Sequence, residues 1–202
     1  APLRAQWIDD GVLIYTGVGG RPGIVSDGIG GAILAWASSA GNIYAQRIDA
    51  TGVVLWGPSG VLVCGALGTQ SNPGIVSDGA GGAIIGWYDG RSGGSGIYAQ
   101  RVDVNGAAQW AADGIRVCST ATAPRLISDD AGGAIVGYSN GIVGGGDVFV
   151  QRIGADGSLL WGTEGVSVCA TQYIESDFDI APDGAHGVIV AVVRNYYQNS
   201  TG

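Results

Sequence analysis

Short apolar runs alternate with Gly- and Asp-bearing turns along this chain, and the alternation itself repeats. One register reads Ile24-Val25-Ser26-Asp27-Gly28, then Ile75-Val76-Ser77-Asp78-Gly79, Leu126-Ile127-Ser128-Asp129-Asp130 and Ile180-Ala181-Pro182-Asp183-Gly184. A second apolar run follows each copy directly: Gly31 to Trp36, Gly82 to Trp87, Gly133 to Tyr138 and Gly187 to Val192. Paired apolar runs around Asp-Gly-x-Gly predict a hairpin, because Asp and Gly tolerate the positive φ of its turn. A third register, Tyr44-Ala45-Gln46-Arg47, Tyr98-Ala99-Gln100-Arg101 and Phe149-Val150-Gln151-Arg152, runs to a turn at Gly52, Gly106 or Gly157. The fourth is a tryptophan, a glycine four residues on and an apolar strand, starting at Trp7, Trp56, Trp110 and Trp161.

These registers predict four strands, A to D, in a period of about fifty residues, which denotes a propeller blade. The expected fold is all-β, a propeller of four blades with four antiparallel strands each. Residues 1–202 form one domain, with repeats at about 16–64, 65–118, 119–169 and 170–202. Residues 1–15 supply only a D strand, and 180–202 supply A, B and a degenerate C at Tyr196-Tyr197-Gln198-Asn199. Pairing of the N-terminal strand with the C-terminal blade then closes a ring and leaves no open edge. The competing arrangement is a stretch of a longer propeller of roughly six to eight blades.

Composition agrees with strands. The 39 glycines follow no Gly-X-Y period, only two Glu are present, and Lys and Met are absent. A net charge of −8 without a basic stripe argues against nucleic acid as a partner. The longest apolar run, Gly187 to Val193, is too short to span a membrane. A start at Ala1 leaves room for a removed leader or an upstream domain. Cys64, Cys118 and Cys169 recur at one position of successive repeats, with Tyr15 in that slot of the first copy. Positions one blade apart are too distant for disulfides, so three buried free thiols are expected, with no metal cluster and no cofactor.

The consensus Ser-Asp-Gly-x-Gly-Gly-Ala-Ile-x-x-Trp, Ile-Tyr-Ala-Gln-Arg-x-Asp-x-x-Gly and Trp-x-x-x-Gly-Val-x-Val-Cys covers almost the whole chain. It resembles the β-propeller-like repeats of large secreted or cell-surface bacterial proteins. The resemblance implies an extracellular or cell-surface location and a binding or scaffolding role, and it carries no catalytic residue. The last repeat departs from it, with Pro182 for Ser, His186 for Gly and no Arg after Gln198.

Recurrent polar residues are read first as structural. Asp27, Asp78, Asp129 and Asp183 suit turn aspartates that accept backbone N–H bonds, against a ring of cation ligands. Arg47, Arg101 and Arg152 suit inter-strand ion pairs, against an acidic-ligand site. His186 is a lone turn histidine, and the only glutamates, Glu164 and Glu175, mark no glycosidase pair.

Differences between repeats are more telling. The A–B and C–D turns are uniform, whereas the B–C loops and D–A linkers vary and emerge on one face. Binding residues concentrate in loops held by a rigid scaffold. The candidate ligand-binding residues there are Tyr88, Asp89, Arg91, Asn140, Asp147, Gln172 and Tyr173. The expected function is a non-enzymatic binding or scaffold module for a surface glycan or an extracellular protein. The alternative is a structural subunit of an extracellular assembly that contacts other copies of itself, and a glycosidase-like enzyme stands third.

Overall fold

The computed structural model describes residues 11–119, 121, 124–140, 146–169 and 174–195. Its described residues form strands and no helix, so none is long and apolar enough to cross a membrane. The first sheet holds β1 (Gly23–Ser26), β2 (Ala32–Ala37), β3 (Ile43–Ile48) and β4 (Val61–Cys64). The second holds β5 (Gln70–Ser77), β6 (Ala83–Asp89), β7 (Gly96–Val102) and β8 (Ile115–Cys118). The third holds β9 (Arg125–Ser128), β10 (Ala134–Ser139), β11 (Val148–Ile153) and β12 (Val166–Cys169). The fourth has two strands, β13 (Ile174–Pro182) and β14 (Val188–Asn195). Strands pair antiparallel in chain order, as the hairpin signals predict.

Each repeat is built by the same polar joints. In the first hairpin, Asp27 Oδ1 accepts the N–H of Ile29 at 3.0 Å and of Gly31 at 2.8 Å, while its Oδ2 accepts Arg47 Nη2 at 2.9 Å. Asp78 with Arg101 and Asp129 with Arg152 repeat both features. These carboxylates are 2%, 4% and 2% exposed, so an unpaired one would carry a large desolvation cost. The recurring glutamine ties the third strand to the fourth. Gln46 Nε2 donates to Gly57 O, and Gln46 Oε1 accepts the backbone N–H of Trp56.

Sheets pack face to face through equally regular contacts. Both Arg47 Nη1 and Trp56 Nε1 donate to Val104 O of the second sheet, each at 3.1 Å. Arg101 and Trp110 do the same to Ala155 O of the third sheet. Small residues let the next sheet approach: a Cβ on Gly74 would meet Leu126 at 2.9 Å, and one on Gly137 would meet Phe178 at 2.8 Å. The core therefore divides into clusters between successive sheets, around Trp87 and Val63, around Tyr138 and Val117, and around Phe178. All three cysteines are buried and outside any disulfide, and burial first of all pushes Cys64 and Cys118 up to about 11.

The expected ring closure does not appear among the described residues. Gly11 to Tyr15 carry no strand pairing, and β14 has β13 as its one neighbour. Residues 1–10 and 196–202, which carried the rest of that expectation, lie outside the described residues. The segment 11–15 nevertheless sits where the outermost strand of a preceding sheet would sit. Val12 lies against Gly52 as Val61 lies against Gly106, and the Tyr15 ring packs 5.2 Å from that of Trp36.

Candidate functional site

The D–A linkers and B–C loops emerge together, as the sequence pattern predicts. Gly20 N donates to Ala37 O, Ser39 N to Val18 O, Gln70 N to Gly41 O and Gly90 N to Thr69 O. Two adjoining clefts open on this face between the first and second sheets, the larger reaching Pro124 at the start of the third. One, of about 480 Å³, is walled by Arg21, Pro22, Ser71, Asn72, Pro73 and Pro124, among others. The other, of about 390 Å³, is walled by Ser38, Ser39, Thr69 and Gln70 and shares Gly20, Ala37 and Ser71 with the first.

The bulge in β5 between Ser71 and Gly74 shapes the shared wall. Asn72 takes φ 53° there, a left-handed conformation that Asn tolerates and Pro73 then follows. Gln70 is 1% exposed; its Nε2 donates to Ala66 O at 3.2 Å and to Asp89 Oδ1 at 3.4 Å. Its Oε1 is buried and has no hydrogen-bond partner. A buried, unpaired amide oxygen in a cleft wall is uncommon enough to need an explanation.

Beside this wall lies the most heavily bonded carboxylate of the face. Asp89 is fully buried and accepts bonds from Trp87 Nε1 at 2.9 Å, Arg91 Nε at 2.9 Å and Arg91 Nη2 at 2.6 Å. Burial pushes its carboxyl up, but the bonds from Arg91 and Trp87 outweigh this and hold it below the usual range. Arg91 Nη2 also donates to Asp113 O, and its guanidinium lies 3.9 Å over the Tyr98 ring.

The candidate residues thus have unequal places. Asp89 and Arg91 come together, but their polar atoms are occupied by each other and by neighbouring structure, which corrects the picture of Asp89 as a solvent-facing donor-acceptor. Tyr88 is half-buried and packs on the cluster between the second and third sheets. Asn140 and Asp147 meet across the third B–C loop, where Asn140 N donates to Asp147 O at 3.2 Å. Gln172 and Tyr173 lie outside the described residues. The cleft residues Ser71, Asn72 and Gln70 were missed individually, although they belong to a linker whose variability marked this face. The signal available was the Asn-Pro pair, which bulges the strand at the cleft.

The other recurrent groups are structural. Asp183 accepts the N–H of Ala185 and Gly187, and His186 Nδ1 donates to Asp129 O at 2.7 Å across the third and fourth sheets. Glu164 accepts Ser119 N and Oγ of the second sheet, and no group of three metal-ligating side chains occurs among the described residues.

No family model and no curated protein matches this sequence. Among solved structures, a thermostable family-43 glycoside hydrolase is similar at 14% identity and a TM-score of 0.47, over 79% of this chain and 56% of that one. An endo-1,5-α-L-arabinanase from Thermotoga petrophila is similar at 18% identity and a TM-score of 0.42, over 79% and 46%. The same enzyme in complex with TRIS gives 17% identity and a TM-score of 0.47, over 81% and 45%. The chain thus spans about half the length of these structures. Their identity corrects the expectation of a non-enzymatic binding module or coat subunit. The solved structures named above are, by name, a family-43 glycoside hydrolase and an endo-1,5-α-L-arabinanase. At these values the likeness assigns no residue a role.

Proposed function

We propose that this chain engages carbohydrate, as the blade array of a carbohydrate-active protein, with the saccharide seated in the paired clefts between the first and second sheets. The observation that carries the proposal is the lining of these clefts, in which neutral hydrogen-bonding groups such as Ser39 and Thr69 stand among Gly, Ala and Pro. A sugar hydroxyl exchanges hydrogen bonds with such groups without bringing a charge. The hydroxyls of Ser38 and Ser71 and the amide of Asn72 supply further neutral partners, and Pro22 and Pro73 give apolar surface for the ring faces. Clefts of this size, lined by polar side chains interspersed with Gly, Ala and Pro and by the cationic Arg21, have room for a ligand of saccharide dimensions. The described walls contribute no carboxylate, so cleavage by an acid pair would draw on carboxylates from outside them. An extracellular setting, as the repeat resemblance implies, accords with such a ligand.

The test is calorimetric titration with a panel of soluble polysaccharides and their oligosaccharides, with product analysis of the same mixtures. Ser71→Ala together with Asn72→Gly, which keeps the left-handed backbone, is expected to weaken binding at least about tenfold at an unchanged melting temperature. A panel in which nothing binds or is cleaved, or variants that bind like the parent chain, would contradict the proposal.

A further inference from the structure

Among the described residues, two sheet faces at opposite ends of the stack are exposed, and the three existing interfaces say what would cover them. At each interface an apolar side chain from the inner strand of the later sheet lies over a small residue of the earlier one. Ile75 meets Gly23, Leu126 meets Gly74 and Gly86, and Ile180 meets Gly137. Ile24 holds the same register in the first sheet, opposite Leu34, yet is 64% exposed. Ala191 holds the register of Gly86 and Gly137, each opposite the strand position that reads Gly74, Arg125 or Asp179. It is exposed, between Ile189 at 61% and Val193 at 55%.

Charge at the rims is opposite. Asp177 and Asp179 have side chains 66% and 77% exposed, and Arg125 of the third sheet reaches them at 2.7 and 3.4 Å. The rim of the first sheet carries an exposed Arg21. Its flank is already prepared for a preceding sheet, because Val12 and Tyr15 occupy the place of that sheet's outermost strand. Within one chain the two faces leave each other exposed.

We propose that the fourth sheet of one copy packs on the first sheet of a second copy, head to tail, continuing the inter-sheet stack. Ile24 then lies over Ala191, and Arg21 faces the carboxylates of Asp177 and Asp179. The contact is heterologous, using a different surface on each partner, so it builds a ring or an open row according to the rotation it imposes.

Two singly substituted chains test this, one with Ile24→Cys and one with Ala191→Cys, treated with a short bis-maleimide. Both positions are exposed, so both variants are expected to melt like the parent, and the native thiols are buried. A cross-linked dimer that forms in the mixture and not from either chain alone is the expected result. Sedimentation equilibrium should also show self-association that Ile24→Asp weakens at least about tenfold. No mixed dimer, or dimer from Ile24→Cys alone, would overturn the proposal. So would a doubly substituted chain that cross-links only within itself, because the sheets would then close inside one chain.

Discussion

The second and fourth sheets carry the same hairpin sequence and hold it in very different surroundings. In the second, Asp78 is 4% exposed, accepts two backbone N–H bonds and pairs with Arg101 of the third strand. In the fourth, Asp183 makes the same two backbone bonds at an exposed turn. Ile84 is fully buried, while its counterpart Ile189 is 61% exposed. The hairpin is thus encoded locally by Asp and Gly, whereas burial comes from the third and fourth strands and from the sheet beyond. A fold of this kind draws its stability from inter-sheet contacts as much as from any one repeat.

The largest expected difference lies at the aspartates. Asp78→Ala leaves Arg101 half-buried without its carboxylate and should cost about 3–5 kcal/mol in urea denaturation. Asp183→Ala removes two exposed turn bonds and should cost about 1 kcal/mol or less. Equal costs would break the comparison. Next come the small residues under the neighbouring sheet. Gly137→Val pushes into Phe178 and should cost about 1–3 kcal/mol, against about 0.5 kcal/mol or less for Ala191→Val in dilute solution.

Acid sharpens the same contrast. Burial pushes Asp27, Asp89 and Asp129 up, but their hydrogen bonds and arginine partners outweigh it and hold all three below the ordinary value. The unfolded chain therefore binds protons more readily. The stability these groups give is complete above their unfolded pKa of about 3.9 and is lost as pH falls through the folded values. Urea midpoints should hold level in this respect from neutral pH to about 5 and fall below about 4, and Asp129→Asn should flatten the fall. The smallest effect concerns the thiols: Cys64 and Cys118, raised to about 11 by burial, should resist alkylation near pH 8 until the chain unfolds.

Much of the architecture was legible because its joints repeat. The Asp-Gly hairpins and the structural role of the recurring Asp and Arg follow from residues at fixed spacing, whereas the pairing of Arg47, Arg101 and Arg152 with Asp27, Asp78 and Asp129 does not. The tryptophan register was visible too, but not that Trp56 and Trp110 bond to a carbonyl of the next sheet, which only three-dimensional packing reveals. Ring closure was inferred from strand bookkeeping, and the described strands do not bear it out. The loop-bearing face was legible as a face, and its cleft residues were not. Asp89 looked like a ligand contact because it is unique to its repeat, yet Trp87 and Arg91 bury it. Gln70 gave no sign of itself, because its burial in the cleft wall depends on tertiary packing and not on a motif.

Amide hydrogen exchange, resolved strand by strand, tests most directly the claim that burial by neighbouring strands and sheets, rather than the hairpin sequence, sets local stability. The account predicts that β6 and β7, flanked on both sides within their sheet, exchange only through global unfolding, while β13 and β14 exchange far sooner through local opening. Equal protection of β14 and β6 in the monomer would contradict it, because the fourth sheet would then be as fully covered as the second.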